Sequence, residues 1–174
     1  DGLGQLLKEA KGDIVKDYTY DANGNRLTFQ LTNSGTVEWN TSYEYDKLNR
    51  LREIRNGRDS VSYSYDANGN VTEAIDSSSI RYVYSYNMAN QLSYQRNLWK
   101  GKRAFESYSI RYYLDGNIES VFKDERTRTS YMYDDMGRLT QETVAGETQI
   151  TYQYDNFQNR SQKTVQNMTD NTVS

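Results

Sequence analysis

The chain has 174 residues and contains no cysteine, no histidine and no proline. Without cysteine there are no disulfide bonds and no thiol nucleophiles. Without histidine the commonest general base and a frequent zinc ligand are missing. Proline removes a donor from a β-ladder, so its absence is in keeping with uninterrupted strands. No apolar run approaches the roughly 20 residues of a membrane-spanning helix, and no targeting signal is present.

Charge is abundant but balanced, because 21 lysine and arginine residues face 24 aspartate and glutamate residues, for a net charge of −3. A nucleic-acid-binding protein normally concentrates positive charge, so this balance argues against one. Only 35% of the residues are hydrophobic, and 17 of the residues are tyrosines. Tyrosine has an apolar ring and a polar tip. The composition therefore predicts a sheet with partly wet faces rather than a thick apolar core.

A signature of the form Tyr-x-Tyr-Asp-x-x-Gly recurs about every 21 residues, which indicates stacked copies of one unit. Seven copies end their tyrosine pair at Tyr20, Tyr45, Tyr65, Tyr86, Tyr112, Tyr133 and Tyr154. An eighth copy begins inside the motif, at Asp1. We therefore expect one array of about eight repeats over residues 1–174, as a segment of a longer array.

The tyrosines of each pair are two residues apart, so in a strand both lie on one face and form an aromatic stripe. This ladder comprises Tyr18, Tyr20, Tyr43, Tyr45, Tyr63, Tyr65, Tyr84, Tyr86, Tyr131, Tyr133, Tyr152 and Tyr154. Aspartate then opens a tight turn, and glycine or asparagine three residues later tolerates the positive φ that closes it. These turn pairs include Asp21 with Gly24, Asp46 with Asn49, Asp66 with Gly69, and Asp134 with Gly137. Gln158 fills the glycine slot in the last copy, where we expect a distorted repeat.

Each unit is thus predicted to be a β-hairpin followed by a polar stretch that leads to the next hairpin. Two segments between motifs are longer than the rest, residues 27–42 and 91–111. The second is predicted to form an extended hairpin with its tip near Lys100 and Gly101. The fold class is therefore all-β, a tandem array of antiparallel hairpins in a single-layer sheet.

The segments from Tyr43 to Leu51 and from Tyr131 to Leu139 resemble the YD repeat of the RHS family. The resemblance covers nearly the whole chain, with departures at Gln5, Asn87, Tyr113 and Gln158. It implies relatives among bacterial polymorphic toxins, wall-associated proteins, insecticidal toxin complexes and teneurins. In that family the repeats form a hollow β-shell, which in toxin members encloses a C-terminal toxin domain. Many such members carry a proline-containing autocleavage motif, which this chain cannot contain.

The resemblance implies a curved wall of a secreted or surface protein that encloses, protects or displays a passenger domain. We expect tyrosines on its concave face and a wet interior. The predicted partners are other repeats and that passenger, with no nucleic acid and no membrane span. Unpaired strand edges also predict edge-to-edge self-association.

The motif aspartates are interpreted as turn formers, so no catalytic, cofactor or metal residue is predicted. The loop from Asp21 to Asn25 is not an EF-hand loop, since its glycine comes fourth rather than sixth. A different function remains open at Trp39 and Trp99, which lie outside the repeat. Aromatic rings stack on sugar rings, so the alternative is a cell-surface adhesion or carbohydrate-binding module.

Overall fold

The computed structural model describes residues 1–100 and 103–168, without the side chain of Arg103. All regular structure in this part of the chain is β-strand, which confirms the all-β prediction. The strands are β1 (Lys8–Lys11), β2 (Ile14–Tyr20), β3 (Arg26–Asn33), β4 (Thr36–Tyr45), β5 (Leu51–Asn56), β6 (Asp59–Tyr65), β7 (Val71–Asp76), β8 (Ile80–Tyr86), β9 (Leu92–Trp99), β10 (Arg103–Tyr112), β11 (Ile118–Lys123), β12 (Thr127–Tyr133), β13 (Leu139–Val144), β14 (Thr148–Tyr154) and β15 (Arg160–Asn167). They follow one another in a single sheet in chain order.

The polar stretches that were predicted to connect one hairpin to the next are themselves strands. Apart from the first and last strands, each of them pairs with the strand before it and the strand after it. β5 and β6, for example, pair from Glu53 with Ser62 to Asn56 with Asp59. The strands predicted within 27–42 and 91–111 are present as β3 with β4 and β9 with β10. The expected tip at Gly101 lies outside the described residues.

A register shift precedes nearly every motif turn, at the second tyrosine of the pair. In β6 it falls between Ser64 and Tyr65, and in β12 between Met132 and Tyr133. A bulge of this kind redirects a side chain and increases the local twist. The extra residue is Thr72 in β7 and Thr140 in β13, so the bulge lies in the strand after the turn, and the two tyrosines of a pair stay on one face of their own strand.

The chain divides into two compact units, one of Asp1–Val83 with Leu98–Arg103 and one of Tyr84–Asn97 with Ala104–Ser174. In each unit, contacts between described strands join neighbours in the chain. Among the described residues, the buried hydrophobic side chains are Ala74 and Leu98. The sheet is thus a single layer without a thick core.

The register places different chemistry on the two faces of each unit. In the first unit, Tyr43 pairs with Ile54 and Ile54 with Val61, and we call the side that carries the tyrosine pairs the aromatic face. The opposite side is the polar face. In the second unit it carries the aligned side chains Ser130, Thr143, Gln149 and Gln166.

Candidate functional site

The motif turns share one hydrogen-bonding pattern, which is clear at Asp46. Its Oδ1 atom accepts N–H bonds from Leu48 at 2.8 Å and Arg50 at 3.0 Å. The backbone N–H of Asn49 donates to the Asp46 carbonyl at 3.0 Å. The Arg50 N–H is the largest cause that lowers the pKa of Asp46 from its ordinary value. These carboxylates are therefore anions that hold turns closed.

The closing residue of each turn lies in the left-handed region. Its φ is 89° at Gly24, 60° at Asn49, 89° at Gly69 and 73° at Gly137. The expectation of a distorted last repeat is wrong, because Gln158 has a φ of 68° and its N–H donates to the Asp155 carbonyl at 3.1 Å. The remaining hydrogen bonds of the turn hold even a glutamine in this conformation.

The fourth residue after the aspartate is a functional position that the sequence analysis missed. Arg50 donates from Nε to Asp46 Oδ2 at 2.7 Å, and Arg138 repeats this bond to Asp134 at 2.7 Å. Asn25 donates from Nδ2 to Asp21 Oδ2 at 2.9 Å. The signal was present in the sequence, since all eight copies have a side chain with N–H donors here: Gln5, Asn25, Arg50, Asn70, Gln91, Asn117, Arg138 and Asn159.

The two arginines also reach the next repeat. The Arg50 guanidinium lies 4.5 Å from the ring centroid of Tyr65, and that of Arg138 lies 4.6 Å from Tyr154. Each therefore lies between an aspartate of its own turn and a tyrosine of the following repeat. Cation–π contacts at exposed sites contribute roughly 0.5–1 kcal/mol. The turn edge is thus a contact between repeats as well as a chain reversal.

The second tyrosine of a pair binds the preceding hairpin. Tyr65 donates its hydroxyl to the Leu51 carbonyl at 2.6 Å, and Tyr154 donates to that of Leu139 at 2.8 Å. The same contact joins Tyr20 to Leu6, Tyr45 to Arg26, and Tyr112 to Leu92. Burial raises the pKa of the Tyr65 hydroxyl, which keeps it a neutral donor. The first tyrosine of a pair makes other contacts. The ring of Tyr18, for example, packs on the ring of Phe29, with the two centroids 5.4 Å apart.

Trp39 lies on the aromatic face, 52% exposed, with its indole N–H donating to Thr41 Oγ1 at 2.7 Å. It lines an open cleft of about 450 Å³ together with Asn56, Asp59 and Asp76. Trp99 is 45% exposed at the end of β9 and does not line this cleft. The structure therefore places Trp39 beside a ligand-sized recess.

Glu106, Tyr108 and Lys123 form a cluster of titratable groups. The Tyr108 hydroxyl donates a hydrogen bond to Glu106 Oε1 at 2.7 Å. Lys123 Nζ forms an ion pair with the same oxygen at 2.9 Å. Tyr108 is the largest cause that lowers the pKa of Glu106, while Glu106 raises the pKa of both Tyr108 and Lys123. A general acid or base needs a pKa near the working pH. Each shift moves the pKa away from neutrality, so this cluster is suited to holding strands together.

The described residues include no group of three or more acidic side chains placed to hold a metal ion. They also include no helix of the length and apolarity needed to cross a membrane.

Comparison with known proteins gives one family match and two named relatives. The RHS Repeat family model matches residues 45–80. The tRNA3(Ser)-specific nuclease WapA of Bacillus spizizenii is 28% identical over 166 residues, which span 83% of this chain and 7% of that protein. The tRNA nuclease WapA of Bacillus subtilis is 38% identical over 148 residues, which span 83% of this chain and 5% of that protein. The chain thus spans less than a tenth of these relatives.

Solved structures share the fold. The Photorhabdus luminescens Tc holotoxin pore aligns with a TM-score of 0.76 and 16% identity, over 92% of this chain and 9% of that one. The crystal structure of TcdB2-TccC3-Cdc42 aligns with a TM-score of 0.60 and 15% identity, over 99% of this chain and 11% of that one. At such identities the likeness concerns the fold alone.

Proposed function

The chain belongs to the RHS/YD repeat family, and on that premise we propose that it is a non-catalytic wall segment that encloses or protects a passenger domain. Its shell-like repeat fold supports a structural role. The aromatic face would turn toward the passenger and the polar face toward solvent.

The observation that carries this proposal is the single-layer sheet with two chemically different faces. A sheet that buried its apolar side against a second sheet would have a dry core about 10 Å thick. Here the aromatic face is instead half-exposed, with Tyr43, Ile54 and Val61 all accessible to solvent. Contiguous exposed apolar side chains can mark an interaction surface, and these three lie on the neighbouring strands β4, β5 and β6. A passenger of the same parent protein is the partner that this proposal assigns to the face.

The relatives named as tRNA nucleases bear on what this chain contributes. Its net charge of −3 gives no overall attraction for RNA, and the Glu106 cluster has pKa shifts unsuited to proton transfer. Under the proposal, a catalytic activity belongs to another part of the parent protein. We also propose that the parent protein, of which this chain is a segment, acts outside the cell or at the cell surface, as the family resemblance implies.

Limited proteolysis of the full-length protein that carries this segment tests the enclosure. We expect the passenger to resist a protease under native conditions and to become cleavable when Gly69→Val strains a turn. Gly69→Asn is the matched control, since asparagine occupies the same slot at Asn49 with a φ of 60°. A passenger that is cut equally fast in the native protein and in the Gly69→Val variant would contradict the proposal.

The cleft at Trp39 favours saccharide binding as a second candidate function. An indole face offers a platform for a sugar ring, and Asn56, Asp59 and Asp76 are hydrogen-bonding groups beside it. A glycan array probed with the native chain, with Trp39→Ala and with Trp99→Ala separates the two functions. Binding lost only in Trp39→Ala supports the saccharide site, while equal signals from all three proteins would refute it.

A further inference from the structure

The turn that joins β10 to β11 departs from the motif, because Tyr113 stands where six copies have aspartate and one has asparagine. The backbone still closes, with the Gly116 N–H donating to the Tyr113 carbonyl at 3.0 Å. Asp115 takes over the side-chain bonding, since its Oδ1 accepts the Asn117 N–H at 3.0 Å and its Oδ2 accepts the Asn117 amide at 3.0 Å. The Tyr113 side chain is therefore released from the turn.

The released ring packs on the next repeat. Tyr113 meets Tyr133 edge to face, with centroids 6.3 Å apart and planes at 90°, and its hydroxyl donates to the Tyr131 carbonyl at 3.0 Å. Within the described residues, the Tyr133 hydroxyl has no hydrogen-bond partner, unlike those of Tyr65 and Tyr154. Two aromatic rings and a hydroxyl thus line this point of the turn edge.

An arginine is missing from the same point. At Tyr65 and Tyr154 the preceding turn supplies a guanidinium over the ring, from Arg50 and Arg138. The turn before Tyr133 has Asn117 at that position, and Asp115 holds its amide. Among the described residues, no arginine or lysine lies over the Tyr133 ring in the way that Arg50 and Arg138 lie over Tyr65 and Tyr154.

A cleft of about 620 Å³ opens here, lined by Tyr113 and Tyr133 with Leu114, Met132, Asp115 and Asp135. Leu114 is fully exposed and Met132 is 52% exposed. Among the described residues, neither Asp115 nor Asp135 forms an ion pair, whereas the nearby Asp134 is neutralised by Arg138. The cleft therefore combines aromatic rings, apolar rims and uncompensated negative charge.

We propose that this cleft binds an arginine or lysine side chain of a polypeptide segment whose neighbouring residues are apolar. The chain contains its own precedent, because Arg50 is held between the Asp46 carboxylate and the Tyr65 ring. The negative charge of Asp115 and Asp135 selects a cation, and Leu114 and Met132 contact its apolar neighbours. Arginine fits better than lysine, because its planar guanidinium stacks on a ring and pairs with a carboxylate at once. This inference does not depend on enclosure of a passenger.

Titration of the 174-residue chain with the blocked tripeptide acetyl-Leu-Arg-Leu-amide tests the site by NMR. The reference is the same peptide with citrulline, which keeps the shape of arginine without its charge. We expect binding of the arginine peptide, with shifts centred on Tyr113 and Tyr133, and about tenfold weaker binding of citrulline, from one exposed cation–π contact and one surface ion pair. Equal binding of both peptides, or no binding of either, would overturn the proposal.

Asn117→Arg sharpens the test by placing an arginine in cis, as at Arg50. The Asn117→Arg variant should not bind the peptide, because its own arginine occupies the cleft. Asn159→Arg is the control, since it adds the same charge at the same position of another turn. Its affinity for the peptide should stay within about twofold of the native value, which is the size of a surface-charge effect. Tyr113→Asp restores the motif residue and should also abolish binding, while Asp135→Asn weakens it. Peptide binding by a folded Asn117→Arg variant at the native affinity would refute the assignment even if Tyr113→Asp fails to fold.

Discussion

The hydroxyl of Tyr65 offers a sharp test of how successive repeats are held together. Tyr65→Phe deletes the donor of the 2.6 Å bond to the Leu51 carbonyl and keeps the ring on which Arg50 lies. Tyr63 is the matched control, because it lies in the same strand, and among the described residues its hydroxyl has no hydrogen-bond partner. The two variants therefore remove the same atom from two tyrosines that differ in one contact.

The size of the effect follows from the environment of the bond. An intramolecular hydrogen bond contributes about 0.5–1.5 kcal/mol net to stability. Tyr65 is half-buried, so water only partly replaces the lost donor at the Leu51 carbonyl, and we expect a loss of about 1 kcal/mol. For a chain of this length, that loss lowers the melting temperature by roughly 2–4 °C. Tyr63→Phe should lower it by less than about 1 °C on the same scale.

Differential scanning calorimetry at neutral pH measures both variants, with hydrogen exchange at the Leu51 strand as a local readout. Repeat arrays unfold less cooperatively than compact domains, so the local readout also detects partial opening. Melting temperatures that fall equally in Tyr65→Phe and Tyr63→Phe would show that the hydroxyl bond between repeats is not what stabilises this edge.

Three further predictions concern the turns and tyrosines. Gly137→Val should lower stability by about 1–3 kcal/mol more than Gly137→Asn, because a β-branched residue is strained at a φ of 73°, and equal chemical-denaturation midpoints would exclude this. The pKa of Asp46 and of Asp134 is lowered on folding, so their stabilisation is complete above the unfolded value of 3.8 and is lost as the pH falls through the folded pKa; Asp46→Asn should flatten the acid limb of melting temperature against pH. The pKa of Tyr65 is raised by burial, so its contribution is complete below pH 10.0 and is lost as the pH rises through the folded pKa. The difference in tyrosinate absorbance between the native chain and Tyr65→Phe isolates this hydroxyl, and its ionisation before unfolding begins would contradict the prediction.

The strands and turns could be predicted from the sequence because their determinants are local. A tyrosine pair at a spacing of two, and an aspartate three residues before a glycine or asparagine, lie within one strand and one turn. The polar segments between motifs were harder, since Glu53 to Asn56 lacks an apolar alternation and gains its strand conformation from pairing on both sides. A local sequence pattern does not predict a strand whose conformation depends on pairing with the neighbouring strands.

The contacts between repeats could not be predicted for a related reason. Whether Arg50 reaches Tyr65 depends on the register of β5 against β6 and on the bulge in β7 opposite Tyr65. The consequences of Tyr113 likewise depend on the next repeat, because its ring lies on Tyr133. The last turn shows the opposite case, since Gln158 takes a positive φ despite its side chain. The hydrogen bonds of this turn outweigh the preference of a non-glycine residue for negative φ.

The orientation of the wall is the central claim, and site-specific photo-crosslinking in the full-length protein tests it most directly. A crosslinker at Tyr63 projects from the aromatic face, and one at the adjacent Ser62 projects from the polar face, so the pair differs in side but not in position. The account predicts crosslinks to the passenger from Tyr63 and none from Ser62. Crosslinks to the passenger from Ser62, or from neither position, would contradict it.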